Sequence, residues 1–270
     1  MKTLITRTIT GLIFVSILVF GILFNAASFV VLFLLIEILA LLEFYRLSRR
    51  YKASAQLIYG SLVGAFIFIS GFLWYNLNVG FYLSLLIFPL IIFVFIWELY
   101  RNKKRPILNI ASTILGLFYI TVPFTLLNHI VYFSGEFNGK LLLGIFILMW
   151  ASDSGAYIFG VSFGKNRLFE RISPKKSWEG FIGGLFTALF AAYLMKEYFG
   201  VFENFEWYVI SILIVIFGTL GDLVESMFKR SVDLKDSGNL LPGHGGLLDR
   251  FDSILLAIPV IFTYLYFFVK

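Results

Sequence analysis

Nine stretches of this chain read as candidate membrane spans, and no other feature limits the fold as tightly. They run over 9–24, 27–44, 57–75, 81–97, 107–130, 141–162, 179–197, 207–226 and 248–268. The hydrocarbon core of a bilayer is about 30 Å thick and takes about 20 residues of helix to span. A spanning segment must satisfy its own backbone hydrogen bonds in lipid, and continuous apolar runs of this length do so as helices. The expected fold is therefore an all-α polytopic membrane protein of about nine transmembrane helices. Composition agrees: 14% of the residues are charged, against about 25% in a soluble domain.

Residues 1–24 have the outline of a secretory signal, with Lys2 and Arg7 ahead of an apolar run and Asn25-Ala26-Ala27-Ser28 behind it. A second apolar run follows at once, which favours a retained helical hairpin over cleavage. The loops are short except at 163–178 and 227–247. Basic residues collect on the cytoplasmic side of membrane proteins. With the N-terminus placed there, 19 of the 22 Lys and Arg fall on inside segments and only Lys140, Lys196 and Lys270 fall outside. This split predicts a cytoplasmic N-terminus and an external C-terminus. The net charge of +6 is read through that distribution, and no nucleic-acid partner is expected.

Charge inside a membrane protein is costly and marks function. Asp153 stands midway along the sixth span in WASDSGAY, and Glu179 opens the seventh in SPKKSWEGFIGG. Asp222 and Glu225 lie toward the end of the eighth, and Asp249 and Asp252 begin the ninth. Each of the last two pairs is spaced i, i+3 and shares a helix face. Crowded carboxylates repel unless cations lie among them. Lys229, Arg230, Lys235 and Arg250 are near in sequence, and a divalent metal would also serve. The chain has no cysteine and two histidines, His129 and His244, so a thiolate site and a multi-His zinc site are excluded. Oxygen ligands alone suit Mg²⁺, which is held by one or two carboxylates and substrate phosphates.

Ser173, Lys175 and Lys176 precede a helix start at which Ser177 is a candidate N-cap, and a helix N-terminus with adjacent lysines attracts anions. Pro242-Gly243-His244-Gly245-Gly246 offers backbone N–H groups for phosphate. Blander readings stand beside these. The basic clusters at 46–52 and 101–105 read as topological signals. The pairs Gly60/Gly64, Gly160/Gly164 and Gly180/Gly184 read as helix-packing contacts. Glu37, deep in the second span, has no evident partner in the sequence. Acids, lysines and a glycine loop together point to phosphoryl or nucleotidyl chemistry at a membrane surface.

The run from Ser226 to Asp252, SMFKRSVDLKDSGNLLPGHGGLLDRFD, resembles the signature of the phosphatidate cytidylyltransferases, or CDP-diacylglycerol synthases. The matching positions are Ser226, Lys229, Arg230, Lys235, Asp236, Gly238, Pro242, His244, Gly245, Gly246, Asp249, Arg250 and Asp252. DSGAYIFGVSFGK (153–165) and SPKKSWEGFIGG (173–184) are also similar to the family, with Ser154 where many members carry Thr. The resemblance covers about 150–253 strongly, so the chain reads as one helical membrane domain with variable spans at 1–140 and a catalytic part at 141–270.

The resemblance implies a Mg²⁺-dependent enzyme, with one or two metal ions, that joins CTP to phosphatidic acid and releases pyrophosphate. The expected roles follow from bringing two polyanions together. Asp222 and Asp249 would hold metal, with Asp252 and Asp153 as further ligands. Ser173, Lys175, Lys176, Gly243, Gly245 and Gly246 would bind CTP phosphates. Lys229, Arg230, Lys235 and Arg250 would hold phosphatidate or pyrophosphate, His244 would bind a phosphate or protonate it, and Asp236 would be structural or orienting; Asp222, Asp249, Lys229, Arg230 and His244 are the expected catalytic set. The expected setting is a bacterial inner membrane with the active site facing the cytoplasm, where CTP meets bilayer lipid; the small-residue motifs permit a homodimer. A polyprenol kinase or polyprenyl-phosphate sugar transferase would also carry acids and lysines, without this signature. A transporter would place charge near the midplane of two repeated halves, and no repeat is visible.

Overall fold

The structure is a computed structural model that describes residues 2–76, 80–202, 205–238 and 245–270, with side chains described from Thr8 onward and the Asn76 side chain left out. Among these residues nine helices follow one another. They are α1 (Lys2–Leu23), α2 (Ala26–Tyr51), α3 (Leu57–Tyr75), α4 (Gly80–Arg101), α5 (Pro106–Val131), α6 (Gly139–Phe163), α7 (Trp178–Phe199), α8 (Glu206–Arg230) and α9 (Leu248–Val269). The last eight are long and apolar enough to span a membrane, while α1 contributes a shorter apolar stretch, Thr8–Leu23. The all-α polytopic expectation holds, and the ends agree with the apolar runs to within a few residues for most helices. Large apolar side chains such as Ile107, Phe118, Val161 and Phe186 remain exposed, as a lipid-facing surface requires.

Local chemistry sets the helix ends. The Asn25 side chain accepts from the Ser28 amide at 2.8 Å, and the Ser28 hydroxyl accepts from the Asn25 amide at 3.1 Å. This reciprocal cap starts α2 directly after α1. Pro106 opens α5, where its missing N–H costs nothing. Residues 163–178, expected as a polar connection, contain a short antiparallel hairpin: β1 (Arg167–Phe169) pairs with β2 (Ser173–Ser177). It carries Lys175 and Lys176 up to the start of α7. Ser177 caps that helix by accepting from Gly180 N at 3.1 Å, as its sequence position suggested.

The chain divides into two compact units, Met1–Phe137 with Leu234–Phe251, and Asn138–Asp233 with Asp252–Lys270. In the first, Phe29, Phe33, Phe124 and Phe251 are fully or almost fully buried, with Phe124 and Phe251 ring centres 5.6 Å apart. Gly60 and Gly64 let α3 approach α2: a side chain at Gly64 would meet Leu41, Thr121 and Glu37. Glu37 does have a partner, since it is fully buried and accepts from Thr121 Oγ1 at 2.7 Å. Arg101 is more than a topological charge. It lies 2.6 Å from buried Glu98, which also accepts from Asn109 at 2.6 Å and from Gln56 at 3.0 Å.

In the second unit, α6 and α7 pack through glycines. A Cβ at Gly180 would lie 2.8 Å from Ala156 O, and one at Gly184 would lie 2.9 Å from Ser152 O. These are backbone atoms that cannot swing aside, so both positions need glycine for close packing. Gly60/Gly64 and Gly180/Gly184 act in helix packing, as the sequence suggested, and Gly160 faces Gly180, whereas Gly164 ends α6 against the Ser177 cap.

Candidate functional site

On α8, Asp222, Glu225, Ser226 and Lys229 recur at i, i+3, i+4 and i+7, which places them on one face. α8 runs to Arg230, so Asp222 sits about two turns inside the end of the helix. Both Asp222 oxygens are engaged. Ser226 Oγ donates to Oδ1 at 3.1 Å, and Lys176 Nζ lies 2.6 Å from Oδ2. Lys176, delivered by β2, also reaches Thr219 O at 3.5 Å. One turn further along α8, Glu225 and Lys229 form an ion pair, with Glu225 wholly buried and Lys229 nearly so.

Two further carboxylates join this cluster. Asp153 on α6 interacts electrostatically with Lys176 and Asp222. Asp252 on α9 interacts with Asp222, Lys229 and Lys176. Gly221 admits that approach: a side chain there would collide with the Asp252 carbonyl. The second unit thus brings together Asp153, Lys176, Asp222, Lys229 and Asp252. Ser173 is half-buried on β2, and Lys175 and Arg230 are exposed.

Asp249 belongs to the first unit. Its Oδ2 accepts from Gly246 N at 2.7 Å and from Ser237 N at 3.1 Å, and its Oδ1 accepts from Ser237 N at 3.2 Å. It therefore closes the base of a loop by binding both ends. Gly245 has φ +82°, and a Cβ there would lie 2.9 Å from Asp249 Oδ2, so glycine is required on both counts. Lys235, Asp236 and Arg250 are exposed. Gly243 and His244 lie outside the described residues.

The sequence reading missed Glu43. This α2 carboxylate is 5% exposed and accepts from Leu247 N at 3.0 Å, Leu248 N at 2.9 Å and Ser237 Oγ at 3.2 Å. The available signal was an acid near the end of an apolar span.

The donor set bears on a metal. Both hydrogen bonds to the Asp252 carboxylate fall on Oδ1, from Ser253 N at 2.6 Å and Ser253 Oγ at 3.3 Å. Asp252 Oδ2 and the neighbouring Asp222 are hard oxygen donors of the kind Mg²⁺ takes along with substrate phosphates. Among the described residues no three Asp, Glu or His side chains converge into a protein-only cage. The fit is to an ion shared with a phosphate ligand.

Comparison with known proteins adds the following. The model of a family described as the cytidylyltransferase family matches residues 5–268. A phosphatidate cytidylyltransferase of Haemophilus influenzae is 51% identical over 134 residues, which is 48% of this chain and 46% of the relative. A protein of the same name from Staphylococcus aureus is 48% identical over 122 residues, 44% of this chain and 46% of the relative. One from Staphylococcus haemolyticus is 49% identical over 122 residues, with the same coverage. The chain spans about half the length of the curated relatives it matches.

Proposed function

Because this chain belongs to the cytidylyltransferase family, we propose that it is an integral membrane enzyme that makes CDP-diacylglycerol from CTP and phosphatidic acid. An oxygen of the lipid phosphate attacks the α-phosphorus of CTP. The bond from that phosphorus to the α,β-bridging oxygen breaks, and pyrophosphate leaves with the electron pair. A phosphomonoester has a second pKa of about 6, so the nucleophile is already anionic near neutral pH. A strong general base is not needed; the barrier lies in bringing polyanions together and in the charge on the leaving group.

The observation that carries this reading is Lys176 paired to Asp222, with Asp153 and Asp252 in electrostatic reach. The pair has side chains 26% and 34% exposed, and an ion pair so open to solvent is worth about 0–1 kcal/mol. Lys176 can therefore leave Asp222 for a CTP phosphate at little cost. Asp222 and Asp252, with Asp153 beside them, would hold Mg²⁺. When bound, the ion supplies charge neutralisation for the triphosphate. Lys175 and Arg230, exposed on the same unit, offer further positive charge to phosphate. Buried Lys229, held by Glu225, offsets the Asp252 charge. By resemblance to the family, Gly243, Gly245, Gly246 and His244 would bind nucleotide phosphate, and Lys235 and Arg250 would attract the lipid phosphate. The positive-inside bias supports an N-terminus and polar segments that face the cytoplasm, and a bacterial inner membrane is the setting of this reading.

The test is CDP-diacylglycerol formation by purified protein given CTP, phosphatidic acid and Mg²⁺. Wild type should form the lipid product, and Asp222→Asn should lower the rate by about 100-fold or more, the scale of losing a charge-stabilising group. Unchanged turnover in Asp222→Asn would overturn the assignment.

A further inference from the structure

Glu43 and Asp249 together hold the two described ends of the signature stretch. Asp249 takes the amides of Ser237 and Gly246, and Glu43 takes the amides of Leu247 and Leu248 and the Ser237 hydroxyl. Four peptide donors and one hydroxyl thus end on two carboxylates. Three of those donors, at 246–248, enter α9, where the first N–H groups have no helical partner. A buried carboxylate is costly unless such donors surround it, and here they do.

The glycine pattern points the same way. A Cβ at Gly238 would meet Glu43 first, at 2.7 Å from Oε1 and 3.0 Å from Cδ. A Cβ at Gly246 would lie 2.6 Å from Glu43 Oε2 and 2.7 Å from Gly238 N. Gly238 and Gly246 are therefore small where the Glu43 side chain enters the loop base.

We propose that Glu43 is a positioning residue: it fixes Ser237, Leu247 and Leu248, on either side of the Gly-His-Gly-Gly motif, in the arrangement that nucleotide binding needs. The inference rests on the nucleotidyl-transfer reading for its kinetic consequence, but not for its structural one. A loop fixed before substrate arrives avoids an ordering cost on binding, so loss of Glu43 should fall on nucleotide affinity. Gln keeps the size but replaces one acceptor with a donor that faces N–H groups. Asp keeps the charge but shortens the reach by about one C–C bond, roughly 1.5 Å.

The experiment has two arms on full-length protein in detergent. In the kinetic arm, Glu43→Gln should raise the KM for CTP about tenfold or more and leave kcat and the KM for phosphatidic acid within threefold. Ser237→Ala, which removes one hydroxyl, should raise the KM for CTP two- to fivefold. Gly238→Ala combined with Glu43→Asp should lose at least threefold less than the product of the single effects, because the shorter acid vacates the space. In the exchange arm, amide hydrogen exchange at 246–248 should quicken at least tenfold in Glu43→Gln while the 26–40 segment stays protected. An unchanged KM for CTP, or a fall in kcat with both KM values unchanged and lower thermal stability, would reduce Glu43 to a structural cap. If wild type makes no CDP-diacylglycerol, the functional reading fails, and the exchange arm decides the loop-holding role. Unaltered protection at 246–248 would then overturn it.

Discussion

A lysine ammonium 2.6 Å from a carboxylate, with both side chains partly open to solvent, orders two side chains without locking them. That is the behaviour expected of Lys176 and Asp222 if the lysine must pass to a substrate phosphate. Lys176→Ala should lower turnover at limiting CTP by about tenfold to 100-fold and leave thermal stability within about 1 kcal/mol, since such a pair contributes little to folding. Paired measurements of initial rate and melting temperature in detergent check both parts. Glu98 sits at the opposite extreme. It is 5% exposed and meets Arg101, Asn109 and Gln56, so its removal takes one acceptor from each of three polar side chains and leaves the Arg101 charge without its buried counter-ion. Glu98→Ala should destabilise the protein by about 2–4 kcal/mol, read as a lowered melting temperature. A loss under about 0.5 kcal/mol would contradict that network. At this scale the sequence was uneven. Asp222 and Ser177 could be read from spacing and capping rules, because their partners lie a few residues away or on a neighbouring element. Glu43 could not, because its partners lie 194 to 205 residues further along the chain, and no periodicity reports a contact of that range.

Apolar runs determined the helices, so most of their ends were legible in the sequence, although eight of the nine expected spans have spanning length and the first contributes only the shorter stretch Thr8–Leu23. The β1–β2 hairpin was not. Its strands span three and five residues, too short for an alternation to stand out in a polar connection. Yet that hairpin carries Lys176 to the acids. Packing between α6 and α7 was legible as small-residue spacing, though the atoms involved were not. At Gly184 the obstruction is the Ser152 carbonyl, which is backbone and cannot rotate away. Gly184→Val should therefore cost about 1–3 kcal/mol or more by overpacking, whereas a substitution at Gly200, where nothing lies within 4 Å but φ is +62°, should cost only the smaller backbone strain. Thermal unfolding of the two variants side by side orders them, and equal losses would contradict the close approach of α6 and α7.

For the molecule as a whole, orientation is the property that charge distribution predicts and helix geometry alone leaves open. The absence of cysteine makes it directly testable. With single cysteines introduced at Lys140 and Lys165, a membrane-impermeant maleimide applied to intact cells should label position 140 and spare position 165. The reverse pattern would invert the topology and place the acidic cluster on the wrong side for cytosolic CTP. The central claim concerns which phosphorus of CTP is transferred, and a pair of labelled substrates tests it most directly. Wild-type protein with phosphatidic acid and Mg²⁺ should move label from the α-phosphate of CTP into extractable lipid and leave γ-label in released pyrophosphate. Lipid labelled from the γ-phosphate, with none from the α-phosphate, would contradict nucleotidyl transfer and make the protein a kinase.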